Sequence, residues 1–219
     1  MNTNTFLNTV QNHKVVPVFF HKDPAVVLQV IEASYNGGVR IFEFVNRGNN
    51  GLDTFEHIVK ELHRFPELTL GIGTIYDAKT AKEFLDAGAQ FVVSPCFVEE
   101  VALLCNDHDT IYLPGIATIK EAFTASQYGC KVIKIFPASV IGSAFAKALK
   151  SVLPALEMMP TGGIEPTKEG MEEWIQAGVC CIGMGSQLFD KSKISSGAYQ
   201  ELSADIATSI KNMQELTNQ

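Results

Sequence analysis

No apolar run in the 219-residue chain approaches the roughly 18–20 residues that a bilayer-spanning helix needs, so a membrane partner is not expected. The first residues, MNTNTFLNTVQNH, have neither a basic start nor a long apolar stretch. A signal peptide is therefore not expected, and the cytoplasm is the default location. Basic clusters are missing as well, and 17 Lys and Arg against 24 Asp and Glu leave a formal charge of −7. Nucleic acid is a poor partner for such a surface, because neutralisation of phosphates by basic side chains dominates that binding.

The five cysteines are odd in number and include no C-x-x-C pair, which argues against both a disulfide framework and a zinc knot. Most lie in apolar or helical contexts and read as small buried hydrophobes. The histidines (His13, His21, His57, His63 and His108) form neither an H-x-H nor an H-x-x-x-H arrangement, so no metal site is expected. No G-x-G-x-x-G follows the first apolar run, which weakens a dinucleotide-binding reading. No cofactor is expected.

What is present is alternation. Short apolar runs at 15–20, 39–45, 68–74, 91–95, 111–117, 132–138, 156–163 and 180–186 are separated by helical patterns such as 23–38, 53–65, 77–89 and 168–178. Short continuous apolar runs fit parallel strands buried on both faces. Asp23, Asp53, Asp77 and Thr118 read as helix N-caps. Gly37-Gly38, Gly88, Gly129 and Gly178 read as helix stops. Eight such units in about 200 residues predict a (β/α)8 TIM barrel forming one domain over 1–219, with an open doubly wound sheet as the alternative. A short helix over 3–12 is expected to close the barrel bottom.

Two charges interrupt strands that should be apolar: Lys134 within VIKIF and Glu43 within IFEFV. Side chains alternate along a strand, so Lys134 shares a face with Val132 and Phe136, and Glu43 with Ile41 and Val45; both can point inward. Arg40, of opposite parity to Glu43, is expected on the outer face. A buried ion pair that only fixes strand register is one reading. The other is catalytic: burial disfavours the ammonium form, leaving an amine nucleophile at position 134 and a proton carrier at 43.

The predicted strand ends supply further candidates, since barrel active sites lie at that face. Arg47 follows the second strand and suits a carboxylate. Thr74 ends the third, Ser94-Pro95 the fourth, Thr161-Gly162-Gly163 the seventh, and Gly183-Met184-Gly185-Ser186 the eighth. Glycines after strands seven and eight commonly present backbone N–H groups to a phosphate.

With these residues in place, the chain resembles the family of 2-keto-3-deoxy-6-phosphogluconate (KDPG) and 4-hydroxy-2-oxoglutarate (KHG) aldolases. The similarity is carried by Gly37-Gly38-Val39-Arg40, Gly71-Ile72-Gly73-Thr74, Ala87-Gly88-Ala89-Gln90-Phe91, Ser94-Pro95, Leu113-Pro114-Gly115-Ile116, Lys134-Ile135-Phe136-Pro137-Ala138 and Pro160-Thr161-Gly162-Gly163-Ile164. The resemblance implies Lys134 as Schiff-base lysine and Glu43 as proton carrier. It implies Arg47 and Thr74 as pyruvate ligands, and Pro95 and Phe136 as pocket walls. Gly162, Gly163 and Ser186 would form a phosphate cradle, with Thr161 beside the sugar chain. It further implies a small 2-keto acid substrate, phosphorylated, and a homotrimer.

The family usually places threonines where this chain has Val45 and Gly48, and many members place an acidic residue where it has Ser139. With Asn46, these departures cluster where substrate hydroxyls should lie. The expected reaction is retro-aldol cleavage of a 2-keto-4-hydroxy acid, most naturally the phosphogluconate, to pyruvate and an aldehyde. The galactonate epimer and 4-hydroxy-2-oxoglutarate remain alternatives, as do an isomerase or epimerase on a phosphate-binding barrel and a non-catalytic sugar-phosphate binder.

Overall fold

The alternation of strand and helix runs through the computed structural model, which describes residues 1–217. The strands are β1 (Val15–Phe19), β2 (Ile41–Val45), β3 (Thr69–Gly73), β4 (Phe91–Val93), β5 (Ile111–Leu113), β6 (Gly115–Ile116), β7 (Val132–Ile135), β8 (Glu157–Pro160) and β9 (Ile182–Met184). The helices are α1 (Thr3–His13), α2 (Pro24–Asn36), α3 (Gly51–Glu61), α4 (Ala78–Asp86), α5 (Glu99–Asp107), α6 (Ile119–Gln127), α7 (Ala138–Ile141), α8 (Ser143–Val152), α9 (Lys168–Gln176), α10 (Lys191–Ser196) and α11 (Tyr199–Thr217).

Every strand pairing is parallel, as expected when helices cross over between strands. Six strands form a curled sheet in the order β5-β4-β3-β2-β1-β9, and three more follow as β6-β7-β8. The run expected as one strand over 111–117 is divided at Pro114, which has no N–H to offer a neighbour. Its carbonyl still accepts from the Lys134 amide at 2.8 Å, so the chain passes directly from one set of strands to the other. At the far side Thr161 bridges Gly183 in parallel, and the Cys180 amide donates to the Met158 carbonyl at 3.0 Å.

Alternation divides the core into two layers. Val16, Ile41, Phe91, Leu113, Val132 and Met159, from six different strands, pack in one inner cluster. Phe6 and Val10 of α1 complete it, with the Phe6 and Phe91 rings edge to face at 5.6 Å. The N-terminal helix thus covers the inner cluster where the strands begin, in the place expected for the short helix over 3–12. Residues of opposite parity, such as Phe42, Leu70 and Ile133, pack outward with the helices. Arg40 lies on this outer side, its guanidinium 4.2 Å from the centre of the Tyr35 ring on α2.

Asp23, Asp77 and Thr118 cap α2, α4 and α6 by accepting from the amides of Ala25, Thr80 and Glu121. Asp53 does not: α3 begins at Gly51 with Asn50 at the cap, and Asp53 lies in the first turn. At this helix start Gly51 packs against the Asn46 carboxamide, where a β-carbon would lie 2.1 Å from Oδ1. In the first turn the Asp53 charge still favours the helix dipole. The cysteines divide: Cys105, Cys130 and Cys181 are buried, whereas Cys96 is exposed and Cys180 half-buried.

Candidate active site

Lys134 on β7 and Glu43 on β2 project into the inner layer, on the faces of Val132 and Ile41. There they meet. Lys134 Nζ donates to Glu43 Oε1 at 3.2 Å and Oε2 at 3.4 Å, with the residues only 6% and 1% exposed. Such a pair is stable only because each charge answers the other; breaking it from one side leaves a buried charge uncompensated. The Phe136 ring centre lies 5.5 Å from Nζ, so an aromatic face walls the amine on one side.

One step further along the same strand faces, Val45 and Phe136 line a cavity of about 390 Å3. Its size is in the range of small-molecule sites. Lys134 and Glu43 therefore lie one side-chain layer below this cavity. Thr161, Gly162, Gly163 and Ser186 line it as well, together with the exposed Arg47. Thr161 has the inward parity of Met159 and is 4% exposed, yet its hydroxyl has no hydrogen-bond partner among the described residues. Buried hydroxyls are nearly always satisfied, so this one marks a place for an incoming polar group.

Gly162 (φ 100) and Gly163 (φ 76) turn the chain through two successive left-handed residues after β8. Only glycine takes this path cheaply. Among the described residues, the amides of Gly162, Gly163 and Ser186 donate to no backbone acceptor. Three free N–H groups beside one cavity suit an anion with several oxygens.

Thr74 directly follows β3 and Pro95 lies two residues beyond β4, but neither lines this cavity. Thr74 adopts φ 66, a conformation rare for a β-branched residue and worth about 1–3 kcal/mol of strain. Sequence reasoning missed Phe19, Phe20, Gln187, Phe189, Lys191 and Ile194, which complete the cavity wall. The first two were within reach, since they close the first apolar run at its C-terminal end. The others follow β9, where only the folded path of the loop decides what faces inward.

A larger open cleft of about 700 Å3 includes Glu165, Asp190 and Asp205 and no basic residue in its lining. Anionic ligands are disfavoured there. Among the described residues no three His, Cys, Asp or Glu side chains gather in a metal-binding cluster. No helix among them is long and apolar enough to cross a membrane.

A sequence model of the KDPG and KHG aldolases matches residues 7–204, nearly the whole chain and every strand described above. The chain belongs to the KDPG and KHG aldolase family. It is accordingly a lyase, an aldolase. The KHG/KDPG aldolase of Escherichia coli K12 is 32% identical over 189 residues, covering 86% of each protein. The 2-dehydro-3-deoxy-6-phosphogalactonate aldolase of the same organism is 36% identical over 121 residues, 55% of this chain and 58% of that protein. The crystal structure of the KDPG aldolase of Legionella pneumophila, with pyruvate captured as a covalent carbinolamine, superposes with a TM-score of 0.82. It is 25% identical and covers 92% of this chain and 96% of that one.

Proposed function

We propose that this enzyme is a Schiff-base aldolase that cleaves 2-dehydro-3-deoxy-6-phosphogluconate to pyruvate and glyceraldehyde 3-phosphate, on a closed (β/α)8 barrel formed by one domain. The single observation carrying the chemistry is the buried Lys134–Glu43 contact at 3.2 Å beneath a cavity open to substrate. The Thr161–Gly183 bridge, joining the last strands of the two sheets, supports closure.

Glu43 is near enough to receive a proton from Lys134 and release the amine as a nucleophile. The amine adds to the C2 carbonyl, and protonated Glu43 returns its proton to the carbinolamine hydroxyl, which leaves as water and gives an iminium, the electron sink for breaking C3–C4. Glu43, directly or through a water, takes the proton of the C4 hydroxyl as that bond breaks. The aldehyde leaves, the enamine is protonated at C3, and hydrolysis returns pyruvate and the free lysine. Arg47 and Thr74 hold the carboxylate, which orients the keto carbon toward Nζ. Pro95 and Phe136 wall the pyruvate half, Thr161 meets a chain hydroxyl, and the amides of Gly162, Gly163 and Ser186 receive the phosphate.

The carbinolamine captured in the Legionella relative supports the covalent route. Leu103 on α5 and Ile119 and Phe123 on α6 are exposed apolar side chains, which supports a self-associated enzyme, here a homotrimer working in the cytoplasm. Borohydride reduction in the presence of pyruvate tests the proposal. A mass adduct is expected on Lys134 and not in Lys134→Ala; a wild-type enzyme that releases pyruvate but forms no adduct would refute it.

A further inference from the structure

We infer that Lys191 binds the distal phosphate of the substrate and sets the preference for phosphorylated over unphosphorylated keto acids. The inference rests on the aldolase reading and adds to it a residue and a specificity. Lys191 follows β9 and lines the same cavity as Gly162, Gly163 and Ser186. That cavity has only two cationic lining residues, Arg47 and Lys191, and no Asp or Glu.

Neither cation takes part in an ion pair among the described residues. For Lys191 this is informative, because charges crowd around it. Its neighbour Asp190 caps α10, its Oδ1 accepting from the Ser192 amide and hydroxyl and from the Lys193 amide, and those hydrogen bonds hold its carboxyl below the usual range. Lys193, two residues on, pairs with Asp205 at 2.5 Å. Asp190 is thus turned to the helix cap and Asp205 to Lys193, and Lys191, like Arg47, brings an unanswered positive charge to the cavity.

Two separate cations in one cavity call for a ligand with two anionic groups. Arg47 suits a planar carboxylate, which accepts two parallel hydrogen bonds. Lys191 sits with three free amides, a donor set for a compact group with several oxygens and more than one negative charge. A phosphate monoester has both, and a second carboxylate would leave donors unused. An ammonium added to neutral amide donors discriminates by charge as well as by shape.

The test compares wild type, Lys191→Ala and Lys191→Arg on 2-dehydro-3-deoxy-6-phosphogluconate and on 4-hydroxy-2-oxoglutarate. For Lys191→Ala, KM for the phosphorylated substrate should rise on the order of 10–100-fold, with a much smaller change in kcat. The ratio of kcat/KM between the two substrates should fall by the same factor, and Lys191→Arg should restore most of it. In parallel, inhibition by inorganic phosphate should be weaker for Lys191→Ala than for wild type. An unchanged substrate ratio, or an equal loss on both substrates, overturns the role of Lys191 even where borohydride trapping on Lys134 succeeds. Failure of that trapping in wild type overturns the aldolase mechanism instead.

Discussion

A β-carbon on Gly73 would lie 2.0 Å from Oε1 of Glu43, so the missing side chain of one residue is the room occupied by the carboxylate of the other. Gly73 ends β3 and pairs in register with Val45 on β2, two residues beyond Glu43. Glycine inside a strand ordinarily weakens it; here it permits a close approach that keeps the acid beside Lys134. Gly73→Ala should therefore displace Glu43 while leaving most of the sheet intact. Turnover is expected to drop on the order of 100-fold, as for an ångström-scale misplacement of a reacting group. A circular-dichroism spectrum like that of wild type would confirm that the fold persists.

Replacing the carboxylate by its amide isolates the proton transfers from the space they need. Glu43→Gln should lower kcat by roughly 100- to 10,000-fold, the usual contribution of a positioned acid–base group. Single-turnover measurements should place the loss in imine formation and C3–C4 cleavage. A variant with more than half the wild-type kcat would remove Glu43 from the mechanism.

Thr161 offers a contrast between stability and function. Its hydroxyl is buried without a partner, so Thr161→Val exchanges an unsatisfied polar atom for a methyl group of similar size. Stability should hold or rise by about 1 kcal/mol, read as a higher midpoint in urea. Meanwhile kcat/KM should fall, because the hydroxyl reserved for substrate is gone.

The cysteines should react in two classes. Burial pushes the thiols of Cys105 and Cys130 up to about 12, the former also through its neighbour Cys130, and burial raises Cys181 well above the ordinary value. At pH 8 these three remain protonated as well as enclosed, and the thiolate is the reactive form. Iodoacetamide under native conditions should label the exposed Cys96 first, and all five cysteines only after unfolding. Rapid native labelling of Cys105 would contradict the packing of α5.

Helix capping gives a prediction remote from the chemistry. The Thr118 hydroxyl accepts from the Glu121 amide at 3.2 Å while the Glu121 carboxylate accepts from the Thr118 amide at 2.9 Å. Thr118→Ala should lower unfolding stability by about 1 kcal/mol with kcat unchanged. Hydrogen bonds from the amides of Ala117 and Thr118 and from the Thr118 hydroxyl hold the Glu121 carboxyl below its ordinary value. Its contribution is present above the unfolded-state value and is lost as pH falls through the folded-state one.

Much of this arrangement was legible residue by residue. The apolar runs located the strands, because a strand buried on both faces admits few polar residues, and Lys134 and Glu43 stood out as charges in the middle of such runs. Parity then named the residues with which each shares a face and allowed both to point inward. The N-cap reading failed at Asp53 because the cue, a carboxylate before an apolar periodic stretch, is met equally by an acid in the first turn, where Asp53 lies. Thr74 was found by its place at a strand end, while its left-handed backbone had no sequence signal, since threonine is a poor choice for it.

Local pattern alone thus determined where the apolar runs fall, which residues share a strand face and which two charges sit inside such runs, because periodicity and the cost of burying charge act at each position. Tertiary structure decided how near those charges come, which hydroxyl is left unpartnered, and that Lys191 joins the glycine turns at one cavity. These are separations between residues far apart in the chain, and they are set by how the strands curl and how the loop after β9 returns, which no local preference encodes.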